Sequence, residues 1–170
     1  MCIRDRGYPT LPLEWQFRGL ADTNGDGIKD VVWFRASDGQ VAIWRMKGGS
    51  VQATQFPFAV GGGSGWDIYK VGDFDGDGID DLLWRNTNGW AVATYMGASG
   101  VAGSKFMPSV PLAQWRVDAV GDFDNSGTED LLWYDTINGN VVRWMMPNDR
   151  VSGPTPQTLN GVGAGWHAYP

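Results

Sequence analysis

Hydrophobic and polar side chains alternate over short stretches, as in Trp66-Asp67-Ile68-Tyr69-Lys70-Val71, the period-two pattern of a half-buried β-strand. Short unbroken apolar runs follow: Val31-Val32-Trp33-Phe34, Leu82-Leu83-Trp84 and Leu131-Leu132-Trp133-Tyr134. Such runs predict inner strands covered on both faces. Each is followed by Asp38-Gly39, Asn88-Gly89 or Asn138-Gly139, pairs that accept positive φ and favour tight hairpins. A third strand is predicted to end at Met46, Met96 or Met146, and a weaker fourth to run from Val51, Val101 or Val151. The fourth segments carry Pro57, Pro108, or Pro154 with Pro156, which suits an outer edge strand.

These elements repeat. Trp15, Trp66, Trp115 and Trp166 recur at spacings of 51, 49 and 51, and Trp33, Trp84 and Trp133 at 51 and 49. The Met46 and Val51 columns each recur at 50 and 50. Four strands per repeat of about 50 residues is the unit of a β-propeller blade. The predicted fold is therefore all-β: a partial β-propeller of three four-stranded antiparallel blades, approximately 13–62, 63–112 and 113–162, with a truncated fourth from 163. Propellers close with about four to eight blades, so the chain reads as an internal piece of a longer protein whose remaining blades are its first partners. Residues 1–6, Met1-Cys2-Ile3-Arg4-Asp5-Arg6, stand outside the pattern of 7–170. They resemble the translation of a sequencing adapter and are set aside from fold reasoning.

Composition narrows the function classes. With 25 Gly and 9 Pro among 170 residues, long helices are not expected to dominate. A single Cys leaves no disulfide framework or cysteine-rich zinc site. No apolar run approaches the roughly 18 residues of a membrane helix, so no membrane span is expected in this segment. Nucleic acid is not an expected partner, because 13 basic residues face 19 acidic ones for a net charge of −6 and nucleic-acid binding needs a basic footprint.

The acidity is concentrated in three loops that align without gaps: Asp22-Thr-Asn24-Gly-Asp26-Gly27-Ile28-Lys-Asp30, Asp73-Phe-Asp75-Gly-Asp77-Gly78-Ile79-Asp-Asp81 and Asp122-Phe-Asp124-Asn-Ser126-Gly127-Thr128-Glu-Asp130. Oxygen-bearing side chains fill positions 1, 3, 5 and 9, and Gly fills position 6. Alternate positions of a curled loop converge, position 7 can offer a carbonyl, and position 9 closes the far side. Six to eight hard oxygen ligands at about 2.3–2.6 Å describe calcium better than magnesium. An EF-hand is excluded, since its position-12 Glu is replaced by Trp33, Trp84 and Trp133. The plain alternative is a metal-free Asp/Gly hairpin held by local side-chain to backbone bonds.

These loops, with Gly72-Asp73-Phe74-Asp75-Gly76-Asp77-Gly78 and Leu82-Leu83-Trp84-Arg85 around the second, resemble the FG-GAP/VCBS repeat family. Such repeats build the calcium-binding propeller of integrin α subunits and occur widely in secreted bacterial proteins. The resemblance covers about residues 13–170. It implies a first Ca²⁺ site of Asp22, Asn24, Asp26, Asp30 and the Ile28 carbonyl. A second is implied of Asp73, Asp75, Asp77, Asp81 and the Ile79 carbonyl, and a third of Asp122, Asp124, Ser126, Asp130 and the Thr128 carbonyl. The second, with four carboxylates, is expected to bind most tightly; Ser126 weakens the third. Extracellular calcium modules bind at about 10⁻⁴–10⁻³ M, so an extracellular, cell-surface or periplasmic location is expected.

Catalysis has little to stand on. His167 is the only imidazole, and no G-x-S-x-G elbow, phosphate loop or zinc motif is present. Gly61-Gly62-Gly63-Ser64-Gly65 reads as a flexible inter-blade connection. The expected function is a calcium-binding, extracellular binding or adhesion module for a protein or glycan, and not an enzyme. The alternatives are a lectin-like propeller and a structural accessory domain of a larger secreted enzyme. Trp33, Trp84 and Trp133 are expected to fill the space between blades. Trp44 and Trp144, which align with Thr94, are candidates for stacking on a ligand, although an edge position explains them equally well.

Overall fold

The computed structural model describes residues 12–159; residues 1–6, Trp166, His167 and the repeat from 163 lie outside the described residues. Among these there are twelve strands and no helix. The first sheet contains β1 (Trp15–Ala21), β2 (Asp30–Arg35), β3 (Gln40–Lys47) and β4 (Ser50–Gln55). The second contains β5 (Trp66–Gly72), β6 (Asp81–Asn86), β7 (Ala91–Gly97) and β8 (Gly100–Met107), and the third β9 (Trp115–Gly121), β10 (Asp130–Asp135), β11 (Val141–Met145) and β12 (Thr155–Leu159). Each sheet is an antiparallel meander in chain order. First strands lie side by side, β1 against β5 and β5 against β9, as the inner strands of successive propeller blades do. The predicted Gly39, Gly89 and Gly139 sit at the hairpin tips with φ of 72°, 84° and 73°.

Two apolar cores lie between the sheets. Val32, Phe34, Val41 and Ile43 of the first sheet meet Ile68, Leu82, Trp84 and Met96 of the second. On the opposite face of the second sheet, Leu83, Ala93 and Tyr95 meet Val117, Leu131, Trp133 and Trp144 of the third. This two-sided cover explains the unbroken apolar run of β6, all six of whose residues are buried. In β2 burial alternates: Val32 and Phe34 face the second sheet, and Trp33 lies on the other side. There Trp33 touches Phe17, which is 52% exposed. Trp84 and Trp133 are 2% and 1% exposed, the inter-blade filling predicted for their column.

Three local expectations need correction. The fourth strand of the third sheet begins at Thr155 and not at Val151, which is 81% exposed in the bend before it. Pro156 lies within this exposed edge strand opposite Trp144, whereas Pro57 and Pro108 fall just after β4 and β8. The run Gly61–Gly65 is not slack throughout, because Gly62 is fixed by a close backbone contact. A Cβ on Gly62 would stand 2.1 Å from the carbonyl oxygen of Ser37, and Val60 donates its N–H to Gly39 O at 2.9 Å. Glycine is required because backbone meets backbone there.

Candidate metal centre

Each acidic loop joins the first strand of a sheet to its second. Position 1 organises the loop: Asp73 accepts the N–H groups of Gly76 at 2.7 Å and Gly78 at 2.8 Å. Asp22 does the same for Gly25 and Gly27, and Asp122 for Ser126 and Gly127. The position-6 glycines 27, 78 and 127 have φ of 78°, 82° and 87°, a conformation that side chains with a Cβ rarely adopt. Position 7 follows position 5 in a tight turn, with Ile28 N–H on Asp26, Ile79 N–H on Asp77 and Thr128 N–H on Ser126 Oγ.

Position 9 ties loop to sheet. Asp30, Asp81 and Asp130 open β2, β6 and β10 and are all 0% exposed. Their Oδ1 atoms accept the N–H groups of Met46 and Met96 on the third strand, and of Met146 just after it, at 2.9, 2.8 and 2.8 Å. The other oxygen accepts Phe74 N–H in the second loop and Phe123 N–H in the third. In the first loop it is taken by the Thr23 hydroxyl and the Arg45 guanidinium, the latter at 2.6 Å.

The loops therefore differ in what they bring together. Asp73, Asp75 and Asp81 each present an oxygen within 4.8 Å of the others, as do Asp122, Asp124 and Asp130. Among the described residues, Asp22, Asp26 and Asp30 form no such group, and Arg45 already neutralises Asp30. Asp77 stands outside the second triad, its Oδ2 accepting Arg150 Nη2 at 2.8 Å. Ser126 is drawn into its own loop, 2.8 Å from the Thr128 hydroxyl, which in turn donates to Met146 O.

Electrostatics single out the second loop. Burial, with the charges of Asp75 and Asp73 adding to it, pushes Asp81 up to about 8. Burial also raises Asp73 and Asp130. At position 1 of the first loop, burial pushes Asp22 up, but the N–H groups of Gly27, Asn24, Gly25 and Asp26 outweigh it and hold it low. Asp122 is held low chiefly by Gly127 N–H. Three carboxylates crowded on one centre, with Asp81 and Asp130 fully buried, repel one another, and a cation between them offsets that repulsion. The donor set is all oxygen, three carboxylates share a centre, and the loop backbone is already curled, so the second and third loops fit a hard divalent ion.

Neighbouring loops are also clipped together through position 8, which the sequence reading assigned no role. Asp80 N–H donates to Asp22 O at 2.8 Å, and the Asp80 carboxylate accepts Asp22 N–H at 2.5 Å. Glu129 repeats the pair with Asp73, at 2.7 and 3.1 Å. Position 8 holds Lys29, Asp80 and Glu129, so its column carries no repeating signal for this contact.

The two stacking candidates part ways. Trp144 is 7% exposed and packs on Trp133, with ring centroids 4.8 Å apart. It is buried in the second core, and that burial, not an open ring face, is what the structure gives in place of the expected stacking position. Trp44 pairs in the same way with Trp33, at 4.9 Å, on the face of the first sheet that the second sheet does not cover.

Sheets of four antiparallel strands, each carrying an acidic loop between its first two strands, define a blade-repeat protein of the β-propeller type. The FG-GAP-like repeat matches the chain over residues 22–84 and again over 73–133, and the chain belongs to that family. No curated protein matches it.

Proposed function

We propose that this chain is a calcium-stabilised β-propeller segment that serves as an extracellular, cell-surface or periplasmic module for binding or adhesion, with a protein or glycan as ligand. The observation that carries the calcium reading is the convergence of Asp73, Asp75 and Asp81 on one centre, repeated by Asp122, Asp124 and Asp130. Ions in these loops would neutralise carboxylates that burial opposes, and would pin the β5–β6 and β9–β10 connections. The position-8 clips would then pass that rigidity between blades. The first loop is the weakest candidate, because Arg45 is paired with Asp30. FG-GAP-like repeats are generally non-catalytic binding or structural units, in keeping with a binding role. Among the described residues no helix is long and apolar enough to cross a membrane. Burial of Trp144 leaves the lectin-like alternative with Trp44 alone.

Thermal melting in millimolar calcium and in chelator tests the metal. At the affinities of extracellular modules, about 10⁻⁴–10⁻³ M, each occupied site adds roughly 0.5–1.5 kcal/mol. A higher midpoint in calcium is expected; equal midpoints would remove calcium from the account.

A further inference from the structure

The carboxylate oxygens of the second loop can be accounted for one by one. Asp73 uses both on Gly76 and Gly78 N–H, and Asp81 uses both on Met96 and Phe74 N–H. Asp75 and Asp77 each use Oδ1 on a backbone N–H, from Asp77 and Ile79. The loop backbone leaves two oxygens over, Oδ2 of Asp75 and Oδ2 of Asp77. Both are taken by one side chain: Arg150 donates from Nε to the first and from Nη2 to the second, the latter at 2.8 Å.

Arg150 does not belong to that loop or that blade. It sits in the connection between β11 and β12, residues 146–154, where the first two sheets turn with only Gly48-Gly49 and Ala98-Ser99. The longer connection is folded for reach. Asp149 Oδ1 accepts the N–H groups of Val151, at 2.6 Å, and Ser152. The guanidinium lies 5.7 Å from the ring centre of buried Tyr95, and Asn148 packs near Gly76 of the acidic loop. This detour is the reason Val151 does not start a strand.

We infer that Arg150 is a built-in counter-cation of the second loop, and that a divalent ion takes up Asp75 and Asp77 by displacing it. The inference rests on the calcium reading of the loops. The contrast within the chain is direct. In the first loop the Arg45–Asp30 pair is nearly closed to solvent, at 11% and 0% side-chain exposure, whereas the Arg150 side chain is 39% exposed. Among the described residues no Lys or Arg ion pair reaches Asp122, Asp124 or Asp130. The order expected from carboxylate count alone is thereby altered: the four-carboxylate loop has a resident competitor, and the third loop has none.

The test is calorimetric calcium titration of the 170-residue chain, wild type, Arg150→Gln and Arg150→Lys, paired with melting of each in chelator. A partly exposed, forked ion pair is worth enough for Arg150→Gln to tighten one class of sites by about three- to tenfold, while its midpoint in chelator falls. Arg150→Lys lies between, because an ammonium cannot span two carboxylates as a guanidinium does, and it serves as the readout should the Gln variant not fold. Wild type that binds calcium, beside variants of unchanged or weaker affinity, overturns the inference and leaves the calcium reading standing. If neither wild type nor variants bind calcium, the calcium reading itself fails and displacement falls with it.

Discussion

Asp81 offers a test of how the second loop behaves without metal. Its carboxyl titrates near 8 in the fold against an ordinary 3.8, because of burial first and the charges of Asp75 and Asp73 next. Between those values the folded chain holds a proton that the unfolded chain has released. The stability attached to this group is therefore fully present below about pH 4 and is lost as pH rises toward 8. One proton corresponds to at most about 1.4 kcal/mol per pH unit. From pH 5 to 7 that is about 2–3 kcal/mol, or roughly 5–10 °C in melting midpoint for a domain of this size. The assay is a series of melts in chelator from pH 5 to 8, repeated in millimolar calcium, where a bound ion favours the ionised form and the slope flattens. Asp81→Asn keeps an oxygen for Met96 N–H but leaves Phe74 N–H without its acceptor. That orphaned donor costs about 1–3 kcal/mol at every pH, and the slope shrinks. A wild-type midpoint that stays level or climbs between pH 5 and 8 in chelator would refute the reasoning, as would an Asp81→Asn variant with an undiminished slope.

Two further predictions concern packing. Trp84→Ala removes a ring that is 2% exposed between two sheets and is expected to cost about 3–5 kcal/mol, whereas Trp33→Ala, on the uncovered face of the first sheet, should cost clearly less; chemical denaturation of both variants showing equal losses would contradict the blade order. Thr94 stands opposite Leu82 as Trp44 stands opposite Val31 and Trp144 opposite Leu131, beside a cleft of about 380 Å³ lined by Phe58, Trp66 and Trp84. Thr94→Trp should raise the melting midpoint by filling that cleft, and a lowered midpoint would show the site is closed to an indole.

What was legible in the sequence is what repeats. The tryptophan and methionine columns, the hairpin-tip glycines and the nine-residue loops recur because each blade solves the same local problem, and period-two alternation exposes the strands directly. Met46, Met96 and Met146 recur where their N–H groups meet the position-9 carboxylates. What was not legible occurs once, or depends on a neighbouring blade. Arg45 aligns with Tyr95 and Met145, so no periodicity marks it as the partner of Asp30. Arg150 comes from a connection whose lengthening is unique to the third sheet, so its approach to Asp75 and Asp77 is a tertiary event. The glycine run at 61–65 looks slack by composition, yet the close approach of Ser37 to Gly62 makes it a packing feature. Trp144 carried the signature of a ligand-facing aromatic because its column tolerates Thr94. The cleft beside Thr94 shows that the column instead varies in how well one blade interface is filled.

The most direct measurement is a crystal structure of the chain grown in millimolar calcium. The account predicts density for an ion among Asp73, Asp75 and Asp81, bonded to their oxygens at about 2.3–2.6 Å, with the Arg150 guanidinium withdrawn from Asp75 and Asp77. Arg150 still seated on both carboxylates, with no ion in the second or third loop, would contradict it.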